Sequence, residues 1–128
     1  MIIRTKSDVE NNEFYVHWGN GTSYRFLTES DGMGYTLTET FVNPESCSVL
    51  EYQNHLEACY CIEGDGKVVD EKTGEEHIIS AGTIYALDKH DKHQLIGGKN
   101  GMRLVCMFTP ALNGRETHKL NADGSSSY

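Results

Sequence analysis

An all-β fold in a single domain is the expectation for this chain, and three observations carry it. Its 13 glycines, against only 2 prolines, punctuate short segments rich in β-branched and aromatic residues, the residue types that fit a pleated, half-buried surface. Helical signals are scarce along the whole sequence. A length of 128 residues leaves room for one domain at roughly 100–200 residues each.

Taken in order, the acidic segment Asp8 to Glu13 is expected as a short helix or loop. Strands are read at Tyr24–Thr28 and Tyr35–Val42, separated by the turn Asp31–Gly34. The series continues with Val49–Tyr52, Ala58–Glu63, Gly66–Asp70, Glu76–Ile79, Thr83–Leu87, His93–Ile96 and Met102–Phe108. So many short strands joined by tight turns favour a closed barrel or a sandwich, which leaves few exposed sheet edges. Residues 1–118 are assigned to this barrel with its N-terminal segment, and residues 119–128 to a polar, Gly/Ser-rich C-terminal tail.

Charge narrows the partners. Nineteen acidic residues against 11 basic ones give a net charge of -8, so long-range attraction to phosphate is absent, and neither nucleic acid nor an anionic membrane is expected as a partner. No apolar run approaches the roughly 20 residues of a membrane span, and the start Met1–Asp8 lacks a secretory apolar stretch; a cytoplasmic location is expected. Of the 4 cysteines, Cys59 and Cys61 point to one face of a strand, too close along the backbone for an ordinary bridge. Reduced, mostly buried thiols are the reading.

Two clusters can carry chemistry. One runs from Tyr52 through His55 and Glu57 to Gly64 and Gly66; the other runs from Ala81-Gly82 through Tyr85, Asp88 and His90 to His93. Each sets oxygen or imidazole ligands at a strand edge beside a Gly turn, where a barrel can aim side chains inward to one metal. The spacing resembles the cupin superfamily, small jelly-roll barrels. In that likeness Glu57 takes the place of the first-motif glutamate before Glu63-Gly-Asp-Gly66, and His93 that of the second-motif histidine. The usual H-x-H pair is replaced by Glu51 and Gln53.

Within the superfamily, the strings Tyr52–Ala58, Tyr60–Gly64, Gly82–His93, Met102–Cys106 and Gly114–His118, with Asp31–Gly34, closely resemble the ectoine synthase family. This resemblance implies a carbon–oxygen lyase, a cyclising hydro-lyase. It would close N4-acetyl-L-2,4-diaminobutyrate into the compatible solute ectoine with loss of water. It implies iron(II), Fe(2+), as cofactor, with Glu57, Tyr85 and His93 as metal ligands. Carboxylate, phenolate and imidazole suit a first-row divalent metal, and three protein ligands leave positions open.

Tyr52 and His55 flank Glu57 and are the candidate catalytic proton-transfer groups in contact with substrate, with His55 preferred as the base because imidazole titrates near neutrality. Arg25 would anchor the substrate carboxylate as a forked donor. Thr40, Phe108, Glu116 and His118 complete the expected pocket, with the C-terminal segment as a lid. A homodimer is implied as well.

One departure concerns an aromatic wall. The family pattern W-x-S-x-R places a Trp four residues before the arginine, whereas here Gly21 stands there and the lone Trp is Trp18. Two outcomes are open: the loop brings Trp18 into the pocket, or the wall is missing. Two other readings of the whole chain are a cupin-fold small-molecule binder and a related metallo-cupin enzyme acting on another short acylated amino acid.

Overall fold

The computed structural model describes residues 1–117, 119–120 and 126–127. His118 and most of the tail lie outside the described residues. The elements are helix α1 (Lys6–Glu10), strands β1 (Tyr15–His17) and β2 (Gly21–Leu27), a 3-10 turn (Glu29–Asp31), β3 (Thr36–Val42), β4 (Cys47–Glu51), β5 (Leu56–Asp70), β6 (Glu76–Ser80), β7 (Ile84–Leu87), β8 (His93–Thr109), β9 (Lys119–Leu120) and β10 (Ser126–Ser127). None of the helices among these residues is long and apolar enough to cross a membrane.

Two strands differ most from the sequence reading. The segments expected as Ala58–Glu63 and Gly66–Asp70 form one strand, β5, and those expected as His93–Ile96 and Met102–Phe108 form one strand, β8. Glu63–Gly66 reads as a turn because it is polar and Gly-rich. In the fold its glycines bend the strand instead of ending it, with register shifts between Cys61 and Glu63 and between Gly64 and Gly66. Such shifts kink a ladder while preserving it. Strand β1, not read from sequence, pairs Tyr15 with Tyr24 across the ladder, their rings 4.7 Å apart.

The long strands β5 and β8 pair antiparallel along their length, from Leu56↔Thr109 to Asp70↔His93. Each half of this bent ribbon carries its own sheet. The second half of β8 pairs with β3, which continues through β2 to β1, while the first half of β5 pairs with β7. The first half of β8 pairs with β4, which takes β10 in parallel, and the second half of β5 pairs with β6. Alternation along each strand sends one set of side chains inward. Cys59, Cys61, Leu104, Cys106, Phe108, Leu50, Leu95 and Ile79 thus share one core. Helix α1 covers one side through buried Val9 and is held by a capping box between Thr5 and Asp8.

The bend requires its glycines. Gly64 has φ +80°, and a Cβ there would lie 2.1 Å from the carbonyl oxygen of Gly101, itself at φ +73°. Replacing Gly64 with Ala is therefore expected to cost about 2 kcal/mol or more, from positive-φ strain plus backbone overlap. Urea unfolding of Gly64→Ala should show a lower midpoint, and an unchanged midpoint would refute the bend's dependence on this residue.

Candidate active site

The ribbon sets the site. On its inward face Glu57 pairs in register with Phe108, and Cys59 with Cys106. Strand β2 adds Ser23 and Arg25, which share a pleat face, and β3 adds Thr40, which pairs with Ser23. These residues, with Tyr52 and Tyr85, line a narrow cavity of about 30 Å³ inside the barrel. Trp18 lines it too. Its ring reaches there because position 21 has no side chain, since a Cβ on Gly21 would sit 2.9 Å from Trp18 Cζ2. The first of the two outcomes for the aromatic wall therefore holds: Trp18 supplies it from three residues earlier in the chain.

Arg25 is buried, and its Nε and Nη1 have no hydrogen-bond partner. The nearest carboxylate, Glu116, stands 3.7 Å from Nη1. Its oxygens already accept the backbone N–H groups of Asn113 and Gly114, each at 2.9 Å. A buried guanidinium with spare donors is a site prepared for an anion, because leaving charged donors unpaired away from water is costly. Around it Thr38 and Thr40 share a hydrogen bond of 2.9 Å, and Thr40 donates to Ser23 at 3.1 Å.

Glu57 sits at the opposite chemical extreme. Burial pushes its carboxyl up to about 8, and contacts with the thiols of Cys59 and Cys106 offset part of that rise. Glu57, Cys59 and Cys106 bring their ligand atoms within 4.8 Å of one another, a group able to hold a metal. Tyr85 is raised well above the usual phenol range by burial and by the neighbouring Cys59 and Glu57. His93 is lowered by burial, so its ring is neutral. Its Nδ1 pairs with the carbonyl of Asp91 at 2.9 Å, and its buried Nε2 has no partner. Donation from Nδ1 leaves the Nε2 lone pair free, which is the arrangement of a metal-ligating histidine.

The expected residues are only partly gathered. Arg25, Thr40, Tyr52, Glu57, Tyr85 and Phe108 meet in the inner cavity. His93 lies beside it, its ring centroid 6.1 Å from that of Tyr52 and 6.5 Å from that of Tyr85. It lines a larger adjoining cleft of about 530 Å³, which shares Tyr85 with the cavity. His55 is half-buried and does not line the cavity, its Nδ1 2.8 Å from the carbonyl oxygen of Pro110. His90 braces the segment from Tyr52 to His55, its Nδ1 2.8 Å from the carbonyl of Tyr52 and 3.1 Å from that of His55. Glu51 and Gln53 bond to each other at the surface. Ser23, Thr38, Cys59 and Cys106 were not singled out from sequence. The pleat of β2 and β3 carried the signal for the first two, since Ser23 and Arg25 alternate in step with Thr38 and Thr40.

The raised carboxyl has a measurable sign. Glu57 ionises near 4.5 in an unfolded chain but only at about 8 in the metal-free fold. Its contribution to stability is therefore complete below pH 4.5 and is lost as pH rises through about 8. Metal-free protein should unfold at lower denaturant at pH 8.5 than at pH 5, and Glu57→Gln should flatten that slope; an equal slope in the variant would refute the assignment.

Comparisons with known proteins bear on this site as a whole. The family model described as ectoine synthase matches residues 1–127. L-ectoine synthase of Halalkalibacterium halodurans is 47% identical over 121 residues, covering 94% of this chain and 93% of that protein. L-ectoine synthase of Desulfosudis oleivorans is 42% identical over 125 residues, covering 98% and 95%. Among solved structures, ectoine synthase from P. lautus superposes with a TM-score of 0.83 at 37% identity, over 89% of this chain and 81% of that one. The polyketide cyclase RemF from Streptomyces resistomycificus shares the fold at a TM-score of 0.68 and 19% identity, over 86% and 80%. With a match along nearly its whole length and relatives this similar, the chain belongs to the ectoine synthase family and has its cupin fold.

Proposed function

We propose that the inner cavity, together with the adjoining cleft of about 530 Å³ that shares Tyr85 with it, is the active site of an L-ectoine-forming hydro-lyase, in which N4-acetyl-L-2,4-diaminobutyrate closes on itself and loses water. The observation that carries this reading is Arg25. A buried guanidinium with two unpaired donor nitrogens shares one cavity with a buried carboxyl, Glu57, and a phenol, Tyr52. Such a set of groups suits a small substrate bearing both a carboxylate and an amine.

Arg25 binds the carboxylate through paired N–H bonds, while Thr40 and Ser23 offer hydroxyls to the polar groups beside it. Trp18 and Phe108 form apolar walls that fold the flexible substrate so that its α-amine approaches the acetyl carbon. Holding the two ends together supplies a large share of the rate. His55 donates from Nδ1 to Pro110, which leaves Nε2 to take the proton that the amine sheds as its C–N bond forms. Tyr52, buried edge-on against Phe108 at 5.2 Å, gives its proton to the carbonyl oxygen as the ring closes. The proton held by His55 then passes to the resulting hydroxyl, which leaves as water while the C=N bond forms, and the ring nitrogen's remaining proton returns to Tyr52. Glu116 keeps the backbone of Asn113 and Gly114 beside Arg25, closing that end to solvent.

The orphaned Nε2 of His93 and the buried Glu57 support a fit to a divalent metal. Glu57, Tyr85 and His93 would hold iron(II). Bound there, the metal supplies Lewis acidity that polarises the acetyl carbonyl.

Iron-loaded protein kept free of oxygen should convert N4-acetyl-L-2,4-diaminobutyrate to ectoine on chromatography. Glu57→Ala and His93→Ala should each lose most of the metal, and Arg25→Ala should lower kcat/KM at least ~10-fold, mainly through KM. No ectoine from metal-loaded protein would reject the activity, and full metal occupancy in either ligand variant would reject the metal site.

We also propose a homodimer. Leu56, Tyr60 and Ile62 alternate outward along β5 and stay exposed, beside exposed Met107 on β8 and Ile84 on β7. Tyr60 pairs in register with Ile84, so the stripe is continuous. A contiguous apolar patch on a sheet face is an interface signature, and a second copy covers it by symmetry. Sedimentation velocity should give a dimer that Tyr60→Asp converts to monomer; a monomeric parent protein would reject this.

A further inference from the structure

Cys59 of β5 and Cys106 of β8 stand directly opposite one another, with their Sγ atoms 3.2 Å apart. Both are free thiols, both are buried, and both line the inner cavity. Opposed residues of an antiparallel pair have Cα atoms about 4.5–5.5 Å apart. A disulfide accepts Cα separations of about 4.4–6.8 Å, with sulfurs about 2.05 Å apart. The backbone is therefore already placed for a bond, and the sulfurs need only close by about an ångström through side-chain rotation.

We propose that Cys59 and Cys106 are an oxidisable pair: a peroxide converts them into a cross-strand disulfide inside the cavity, and a dithiol reductant reopens it. In the first step one sulfur attacks hydrogen peroxide. The O–O bond breaks, a sulfenic acid forms and one water leaves with the thiol's proton. In the second step the other sulfur displaces that hydroxyl, the S–S bond forms and a second water leaves. Two electrons pass from the two sulfurs to one peroxide, and both thiol protons end in water.

The pair is set apart from the remaining cysteines. Cys47 is exposed, its sulfur 3.9 Å from the Gln94 side chain, and the Cys61 thiol points to the carbonyl of Glu63 at 3.4 Å. The cavity of about 30 Å³ admits a water-sized molecule, and hydrogen peroxide is scarcely larger. Both thiols also contact the Glu57 carboxyl. A disulfide has no S–H to donate, so its formation strips Glu57 of both contacts and draws the facing strands' side chains together across the cavity. Loss of metal uptake follows, a consequence that rests on the metal site proposed above, whereas the cross-link itself does not.

The full chain carrying Cys47→Ser is treated with hydrogen peroxide, quenched with catalase, alkylated under denaturing conditions and digested for mass spectrometry. The expected product is a linked pair of peptides holding Cys59 and Cys106, two hydrogens lighter than their sum, with Cys61 alkylated. Dithiothreitol should return both as alkylated thiols. Oxidised protein should take up at least ~10-fold less iron(II) than reduced protein, and Cys59→Val should keep its own untreated uptake after peroxide. Two alkylated thiols after treatment, or sulfinic acid on either cysteine without a linked peptide, overturns the proposal. A linked peptide with undiminished metal uptake overturns its consequence for the site. Metal retention by Glu57→Ala in reduced protein would instead count against the metal site alone.

Discussion

The pairing of β5 with β8 is the constraint on which the other features depend. Because side chains alternate along a strand, a slip of one residue would turn Glu57, Cys59 and Cys61 to the outside and bring Leu56, Tyr60 and Ile62 in. The apolar outer stripe of β5 means that hydrophobicity alone favours neither face strongly. Register is held by backbone contact instead. At Gly64 and Gly101 the two strands approach so closely that a single Cβ would overlap a carbonyl. The same point bends the ribbon, so one pair of glycines both fixes which residues face inward and lets two sheets close over them.

Much of the site was legible in the sequence because its residues lie on regular strands. Glu57, Tyr85 and Phe108 alternate with outward neighbours, and Arg25 and Thr40 follow the pleat of β2 and β3, so pattern and motif agree on their direction. The readings that failed to reach the structure have a common cause, since each depends on contacts distant in sequence. The continuity of β5 and β8 was hidden because Gly-rich polar residues mark a turn and a bend equally well. The way Trp18 enters the cavity rests on the space left by Gly21, a relation between a loop and a strand that no periodicity encodes. The facing of Cys59 and Cys106, 47 residues apart, appears only when the register of the ribbon is known.

His55, His90 and His93 illustrate how one residue type divides its work by environment. His90 spends its ring nitrogen on two backbone carbonyls and so fixes the segment from Tyr52 to His55. His55 spends Nδ1 on the carbonyl of Pro110 and so keeps Nε2 for another partner. His93 is buried and neutral with an unpartnered Nε2. The sequence names His55 and His93 as site residues and gives His90 to a turn, and the partner of each ring nitrogen is what distinguishes the brace from the two proposed roles.

The charges inside the cavity decide which ligands it can accept. Arg25 is a fixed cation whose donors are unsatisfied, while Glu57 avoids the cost of an isolated buried charge by holding its proton. Filling the cavity with an apolar molecule would leave the guanidinium unpaired. A simple anion would satisfy Arg25 but leave Glu57, Tyr85 and His93 without a cation. The proposed metal and carboxylate-bearing substrate together would satisfy both. With a net charge of -8 on the whole chain, the long-range field does not draw in a substrate whose ammonium and carboxylate cancel. Recognition therefore rests on these few desolvated contacts, where low dielectric makes each one stronger than it would be at the surface.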